Sequence, residues 1–159
     1  MDTFSVFPDS ESMAEEIASG WCDQIQQAEK EDDVFSVVLS GGNTASRVYR
    51  NLANLKSLEL LCWERVHIFW ADERCVPPEH EESNYFNVQR TFLDEVQVPR
   101  GNIHRIHGEK EPSGESLRYE KEIINHLALR KDKQKLFDWV FLGLGSDGHT
   151  ASLFPDQEY

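Results

Sequence analysis

Apolar residues recur along this chain with two different periods, and the alternation between them predicts its architecture. Across residues 10–28, Met13, Ile17, Trp21 and Ile25 return every four positions, with Ala14, Ala18 and Cys22 alongside, as on one face of a helix. Ser12 and Glu15 fit a capping box for that helix, with Ser10 as a competing start. A short strand is expected before it at 4–8, and the acidic stretch 29–33 reads as the loop that closes this unit. Residues 34–39 (VFSVVL) form a continuous, β-branched-rich run short enough to be a strand buried in a parallel sheet.

The same pattern then repeats. A helix is expected at 45–55, a strand at 66–70, a helix at 84–93 and a short strand at 103–106. Residues 109–115 read as a polar loop, 117–129 as a helix amphipathic through Ile123, Ile124 and Leu127, and 139–142 as a final buried strand. Strands alternating with helices predict an α/β fold, a Rossmann-like open, mostly parallel sheet with helices on both faces. There is no internal repeat. The 109–115 loop is the only candidate boundary, and splitting there leaves pieces too small for good cores, so residues 1–159 read as a single domain.

Composition narrows the function classes. The 159 residues are 39% hydrophobic and 28% charged, as in a soluble globular protein, and carry a net charge of -13. That charge argues against nucleic-acid binding, which needs a basic footprint. No run approaches the ~18 apolar residues that cross a bilayer. The opening Met1-Asp2-Thr3-Phe4 lacks the basic patch and apolar core of a signal peptide. Cys22, Cys62 and Cys75 show no Cys-x-x-Cys spacing, so a reducing, cytoplasmic location is expected. Any phosphorylated ligand would need a locally positive site against this acidic background.

Three expected strand ends carry unusual residues, and in a parallel sheet all three open at one edge, where ligands bind. After the 34–39 strand, Ser40-Gly41-Gly42-Asn43-Thr44 offers a backbone that can approach a ligand closely, two side-chain donors and the free N–H groups of a helix start. It is a candidate phosphate cradle; the alternative is a tight strand-to-helix turn. The Gly-Lys-Ser/Thr ending of a Walker A loop is absent. After the 66–70 strand comes Asp72-Glu73-Arg74. Arg74 either grips a phosphate or carbonyl oxygen or forms a local ion pair that fixes the loop.

The closing stretch 137–155 (FDWVFLGLGSDGHTASLFP) delivers Gly143, Gly145, Asp147, Gly148 and His149 to the end of a strand. A histidine titrates near about 6.5 and can take a proton from water at neutral pH. Asp147, two residues away, can fix its tautomer and stabilise its cation. The alternative is that Asp147 caps a helix starting near Thr150 with His149 merely exposed. No serine stands in a Gly-x-Ser-x-Gly elbow, so water is the better nucleophile. His67, His80, His104 and His107 read as structural or surface residues, and no metal is expected.

With these motifs in place, the chain resembles the 6-phosphogluconolactonases, a group related to the glucosamine-6-phosphate deaminases. The resemblance rests on Leu39-Ser40-Gly41-Gly42, Asp72-Glu73-Arg74, Ser83-Asn84-Tyr85 and the run from Gly143 through Asp147-Gly148-His149-Thr150-Ala151-Ser152-Leu153-Phe154-Pro155. It implies hydrolysis of 6-phospho-D-glucono-1,5-lactone in the pentose phosphate pathway, with no metal or organic cofactor. His149 would be the general base and Asp147 its orienting acid. Gly41, Gly42, Asn43, Thr44 and Arg74 would hold a small phosphorylated sugar lactone. No nucleic-acid or membrane partner is implied, and a monomer is favoured.

Deaminases resemble Asp-Gly-His-Ile-Ala-Phe-Asn-Glu-Pro at the last motif, whereas Phe154 precedes Pro155 here, and they tend to have Tyr at the position of Arg74. Both differences favour the lactonase. An isomerase or deaminase, and a truncated, non-catalytic sugar-phosphate-binding domain, stand as the alternatives. The first loop departs from the family's usual Ser-Thr-Pro after the glycines, having Asn43, Thr44 and Ala45. Family members also continue past Leu-Phe-Pro, so the resemblance implies that 1–159 lacks a C-terminal portion.

Overall fold

A computed structural model describes residues 4–133 and 135–158. Among them four strands, β1 (Phe35–Leu39), β2 (Val66–Trp70), β3 (Ile103–His104) and β4 (Trp139–Val140), pair in parallel in the order β3-β2-β1-β4. The chain therefore moves outward from β1 to β2 to β3 and then crosses to the opposite side of β1. That reversal creates a topological switch point between β1 and β4, the place where open α/β sheets bind ligands.

Helices α1 (Ser10–Glu31), α2 (Asn43–Ala53) and α3 (Asn84–Val88), the last continued by a π-helical turn at Gln89–Leu93, cover one face. Their core takes Phe35, Val37 and Leu39 of β1 and Val66, Ile68 and Trp70 of β2, alternate residues on each strand. Trp21 of α1 sits fully buried at the centre, edge-on to Phe35, Phe92, Trp139 and Phe141. Gly20 is required beside it, because a Cβ there would come within 2.9 Å of the Trp139 ring.

Helix α4 (Pro112–Leu129) covers the other face and is held differently. The Tyr119 hydroxyl accepts from the backbone N–H of Trp70 at 2.9 Å and donates to its carbonyl at 3.0 Å. Arg130, just past the helix, is buried and forks onto Asp138 at 2.9 and 2.8 Å, and Asp138 in turn accepts from the backbone N–H of Ser36 at 2.8 Å. This pair locks the start of β4 against β1.

Several expectations are corrected. Residues 4–8 form no strand and pair with none of the four described strands, and Phe4 and Val6 are exposed. Asp9, not Ser12 or Ser10, caps α1, accepting from the N–H of Ser12 at 2.8 Å. The helix runs through most of the acidic stretch and stops at Asp32, whose left-handed φ of 54° turns its N–H back onto Ala28 and Glu29. Helix α4 starts inside the supposed polar loop, with Glu111 as cap and Pro112 in the first turn. Its apolar stripe is not its buried one: Glu115 and His126 are buried while Ile124 is exposed. The last strand ends at Val140 and lies at the sheet edge, with Val140 exposed rather than buried. Residues 150–158 form turns, with Thr150 and Leu153 bridged, so no helix follows His149 among the described residues.

Candidate active site

The carboxyl ends of β1, β2 and β4 open into one cleft of ≈ 510 Å³. Ser40 to Thr44 lie on one wall, Leu142 to Gly145 with His149 on another, and Asp72, Arg74 and Asn84 close it. The three sequence motifs thus meet at the switch point.

Each loop is fixed from below. At the end of β1, the Tyr49 hydroxyl clamps Ser40, accepting from its N–H at 3.1 Å and donating to its carbonyl at 3.0 Å, while the Ser40 hydroxyl donates to the Phe141 carbonyl. Gly42 then takes φ +103°, a conformation side chains rarely adopt, and becomes the N-cap of α2. No side chain caps this helix and no acid sits in its first turn, so the N–H groups and dipole of Asn43 and Thr44 remain open to an anion. Gly41 is needed for a different reason: a Cβ would lie 1.9 Å from Asn84 Oδ1.

Glu73 organises the second loop. Its carboxylate accepts from the backbone N–H groups of Asn84 at 2.6 Å and Tyr85 at 2.9 Å, from the Ser83 hydroxyl at 3.1 Å, and from the N–H of Arg74 at 2.8 Å. Ser83 in turn caps α3 through the N–H of Phe86. Asn84 donates to the carbonyl and carboxylate of Asp72, both at 3.1 Å, and the Ser152 hydroxyl donates to the same carboxylate at 2.6 Å. Ser152 on the last loop and Asn84 on α3 are therefore joined through Asp72. Sequence reading gave neither residue a role; the Ser83-Asn84-Tyr85 motif was the available signal. Arg74 stays exposed and forms no ion pair with a described residue, so the local-ion-pair alternative is not realised. It is the only Lys or Arg among the described residues lining the cleft.

In the closing motif, His149 Nδ1 lies 2.5 Å from Asp147 Oδ1, which also accepts from the His149 backbone N–H at 3.2 Å. The imidazole beside it holds the Asp147 carboxyl below its ordinary range, so Asp147 is a carboxylate at neutral pH. It accepts the Nδ1 proton and leaves Nε2 with a free lone pair. Gly148 takes φ +88° to make the turn, and a Cβ on Gly145 would stand 2.2 Å from His149 Nδ1. Both glycines are thus needed for the Asp–His pair to close. The Phe154 ring packs on His149 at 4.9 Å, and the Thr150 hydroxyl ties the loop back to the Gly143 carbonyl at 2.9 Å.

The arrangement places a proton acceptor, an oriented acid, a helix N-terminus and one free guanidinium in a single cleft. Gly41, Gly42, Asn43, Thr44, Arg74 and His149 all line it, and Asp147 stands behind the histidine.

Comparison with known proteins gives one consistent picture. The profile of the family described as glucosamine-6-phosphate isomerases/6-phosphogluconolactonase matches residues 8–159. The 6-phosphogluconolactonase of Haemophilus influenzae is 45% identical over 121 residues, 76% of this chain and 50% of that protein. That of Nostoc is 33% identical over 157 residues, 98% of this chain and 64% of its own length. The crystal structure of the Thermotoga maritima 6-phosphogluconolactonase superposes with a TM-score of 0.75 at 31% identity, over 94% of this chain and 63% of that one. The chain spans about half to two thirds of the length of these relatives.

Proposed function

The chain belongs to the family of glucosamine-6-phosphate isomerases and 6-phosphogluconolactonases, and from that premise we propose that it acts as the lactonase. The reaction is hydrolysis of 6-phospho-D-glucono-1,5-lactone to 6-phospho-D-gluconate, a step of the pentose phosphate pathway. Residues 1–159 are read as one sugar-phosphate-processing unit, acting on a small phosphorylated ligand in the cytoplasm. No helix among the described residues is long and apolar enough to cross a membrane.

The observation that carries this reading is the Asp147–His149 pair, closed at 2.5 Å in the same cleft as the uncapped start of α2 and Arg74. His149 Nε2 takes a proton from water as the oxygen adds to the lactone carbonyl carbon. Charge develops on the carbonyl oxygen, and the ring C–O bond then breaks. His149 returns its proton to the departing ring oxygen, which becomes a hydroxyl. Asp147 keeps Nδ1 protonated throughout and stabilises the transient imidazolium. The phosphate sits where the α2 dipole and the Arg74 guanidinium converge, the local positive field that a chain of charge -13 requires.

The lactonase is favoured over the deaminase at position 154. The deaminases resemble Glu-Pro there, whereas Phe154 of this chain lays an apolar ring against the histidine. The test is hydrolysis of 6-phosphogluconolactone above its spontaneous rate by the 159-residue chain, with Arg74→Ala alongside. Arg74→Ala should raise KM for the phosphorylated lactone about tenfold or more, with a much smaller effect on unphosphorylated gluconolactone, as for loss of a charged hydrogen bond. Equal effects on both substrates would remove Arg74 from the phosphate site, and ammonia release from glucosamine 6-phosphate without lactonase activity would favour the deaminase.

A further inference from the structure

A second cluster of chemistry lies outside the cleft, between the sheet and α4. His67 of β2, His104 of β3 and His126 of α4 bring one ring nitrogen each to within 4.8 Å of one another. None of the three lines the active-site cleft. His67 and His126 are buried, and His104 is largely so.

The hydrogen bonding orders the rings as ligands. The Glu122 carboxylate lies 2.7 Å from His104 Nδ1 and accepts its proton, which leaves His104 Nε2 as a lone pair. That nitrogen faces His67 Nδ1 at 2.9 Å, so one proton is shared between two inward-facing nitrogens. On the third ring, Nε2 pairs with the Ser36 hydroxyl at 2.7 Å, and Nδ1 is buried with no hydrogen-bond partner among the described residues. His126 is 2% exposed. A polar atom so placed calls for an occupant.

We propose that His67, His104 and His126 form a three-histidine site for a divalent cation of the zinc class. Tetrahedral zinc at 2.0–2.1 Å from each nitrogen separates its ligands by about 3.3 Å, so the His67–His104 pair opens by a few tenths of an ångström as the metal replaces the shared proton. His67 then carries its proton on Nε2. Glu122 behind His104 reproduces the carboxylate–histidine–metal pattern that fixes ligand orientation. The neutral imidazole is the form that ligates. The nearby cations are already paired: Arg130 forks onto Asp138, and Arg118 pairs with the Glu122 oxygen that His104 does not use. The fourth position falls to water, since the His104 side chain keeps 12% exposure. All-imidazole ligation suits zinc, cobalt, nickel or copper and not magnesium or calcium.

The experiment titrates the chelator-treated 159-residue chain with Co²⁺ and then Zn²⁺, reading calorimetric stoichiometry and the visible absorption of tetrahedral cobalt. One equivalent of Co²⁺ should bind with the tetrahedral band, and Zn²⁺ should displace it. His126→Gln should weaken binding at least about 100-fold, and Glu122→Gln about 10–100-fold, while His149→Ala leaves it unchanged. Circular dichroism reports folding of each variant, and Glu122→Gln, which leaves all three rings in place, decides the matter if His126→Gln fails to fold. Absence of stoichiometric cobalt binding, magnesium binding of equal strength, or loss of binding in His149→Ala would overturn the site.

Discussion

Odd and even positions of the same two strands meet opposite surroundings. Phe35, Val37, Leu39, Val66, Ile68 and Trp70 enter a dry core of aromatic and aliphatic side chains under α1 and α2. Ser36 and His67, one residue out of step, enter a layer under α4 built from His104, His126, Arg130, Asp138 and Glu122. The first face is held mainly by area removed from water, a non-directional term. The second combines the buried Phe69 ring, packed on His104, Tyr119, His126 and Phe137, with directional pairs, each of which becomes a cost if one member is removed. One face supplies bulk stability and the other supplies register and a place for polar chemistry.

The largest expected effect tests the apolar face. Trp21→Ala removes a fully buried indole with four edge-on aromatic neighbours and should cost about 3–5 kcal/mol in urea unfolding. A loss under about 1 kcal/mol would deny that this face carries the stability. On the other face, Asp138→Ala strands the Arg130 guanidinium, 2% exposed, and should cost about 3 kcal/mol. The double variant Arg130→Met/Asp138→Leu should recover most of that, because the penalty lies in the unpaired charge. If the double is as damaged as the single, the pair is contributing net energy and the contrast between the faces weakens.

A smaller effect comes from Glu115, buried at the start of α4. It accepts from Arg118 Nε at 2.7 Å, from Arg118 Nη2 at 2.5 Å and from the His107 backbone N–H at 2.7 Å. The Arg118 guanidinium holds its carboxyl below the ordinary value of 4.5. A carboxyl lowered in the folded state stabilises fully above its unfolded value and loses that contribution as pH falls through the folded one. Stability should therefore fall with acidification below about pH 4.5, and Glu115→Gln should flatten part of that slope in a series of unfolding curves at decreasing pH.

How far these features were legible in sequence follows from their range along the chain. The strands at Phe35–Leu39 and Val66–Trp70 were readable because a buried parallel strand is nearly continuously apolar, here interrupted only by Ser36 and His67. The cleft was readable because each motif sits within a few consecutive residues of a strand end, and the parallel sheet assembles them. The polar layer under α4 was not, since His67, His104 and His126 come from two strands and a helix, with no local spacing to betray them. A trace did exist: Glu115, Tyr119, Glu122 and His126 recur at helical spacing, a stripe that faces the sheet. The apolar Ile123, Ile124 and Leu127 outweighed it, as Pro112 and Gly114 outweighed the Glu111 cap that starts the helix.

The claim on which the functional account rests is that His149 activates water in this cleft. The direct measurement is kcat for 6-phosphogluconolactone hydrolysis by the chain and by His149→Ala, each corrected for spontaneous opening of the lactone. The account predicts a fall of at least about 10²-fold in kcat with little change in binding of 6-phosphogluconate. Equal kcat values for the two proteins would contradict it.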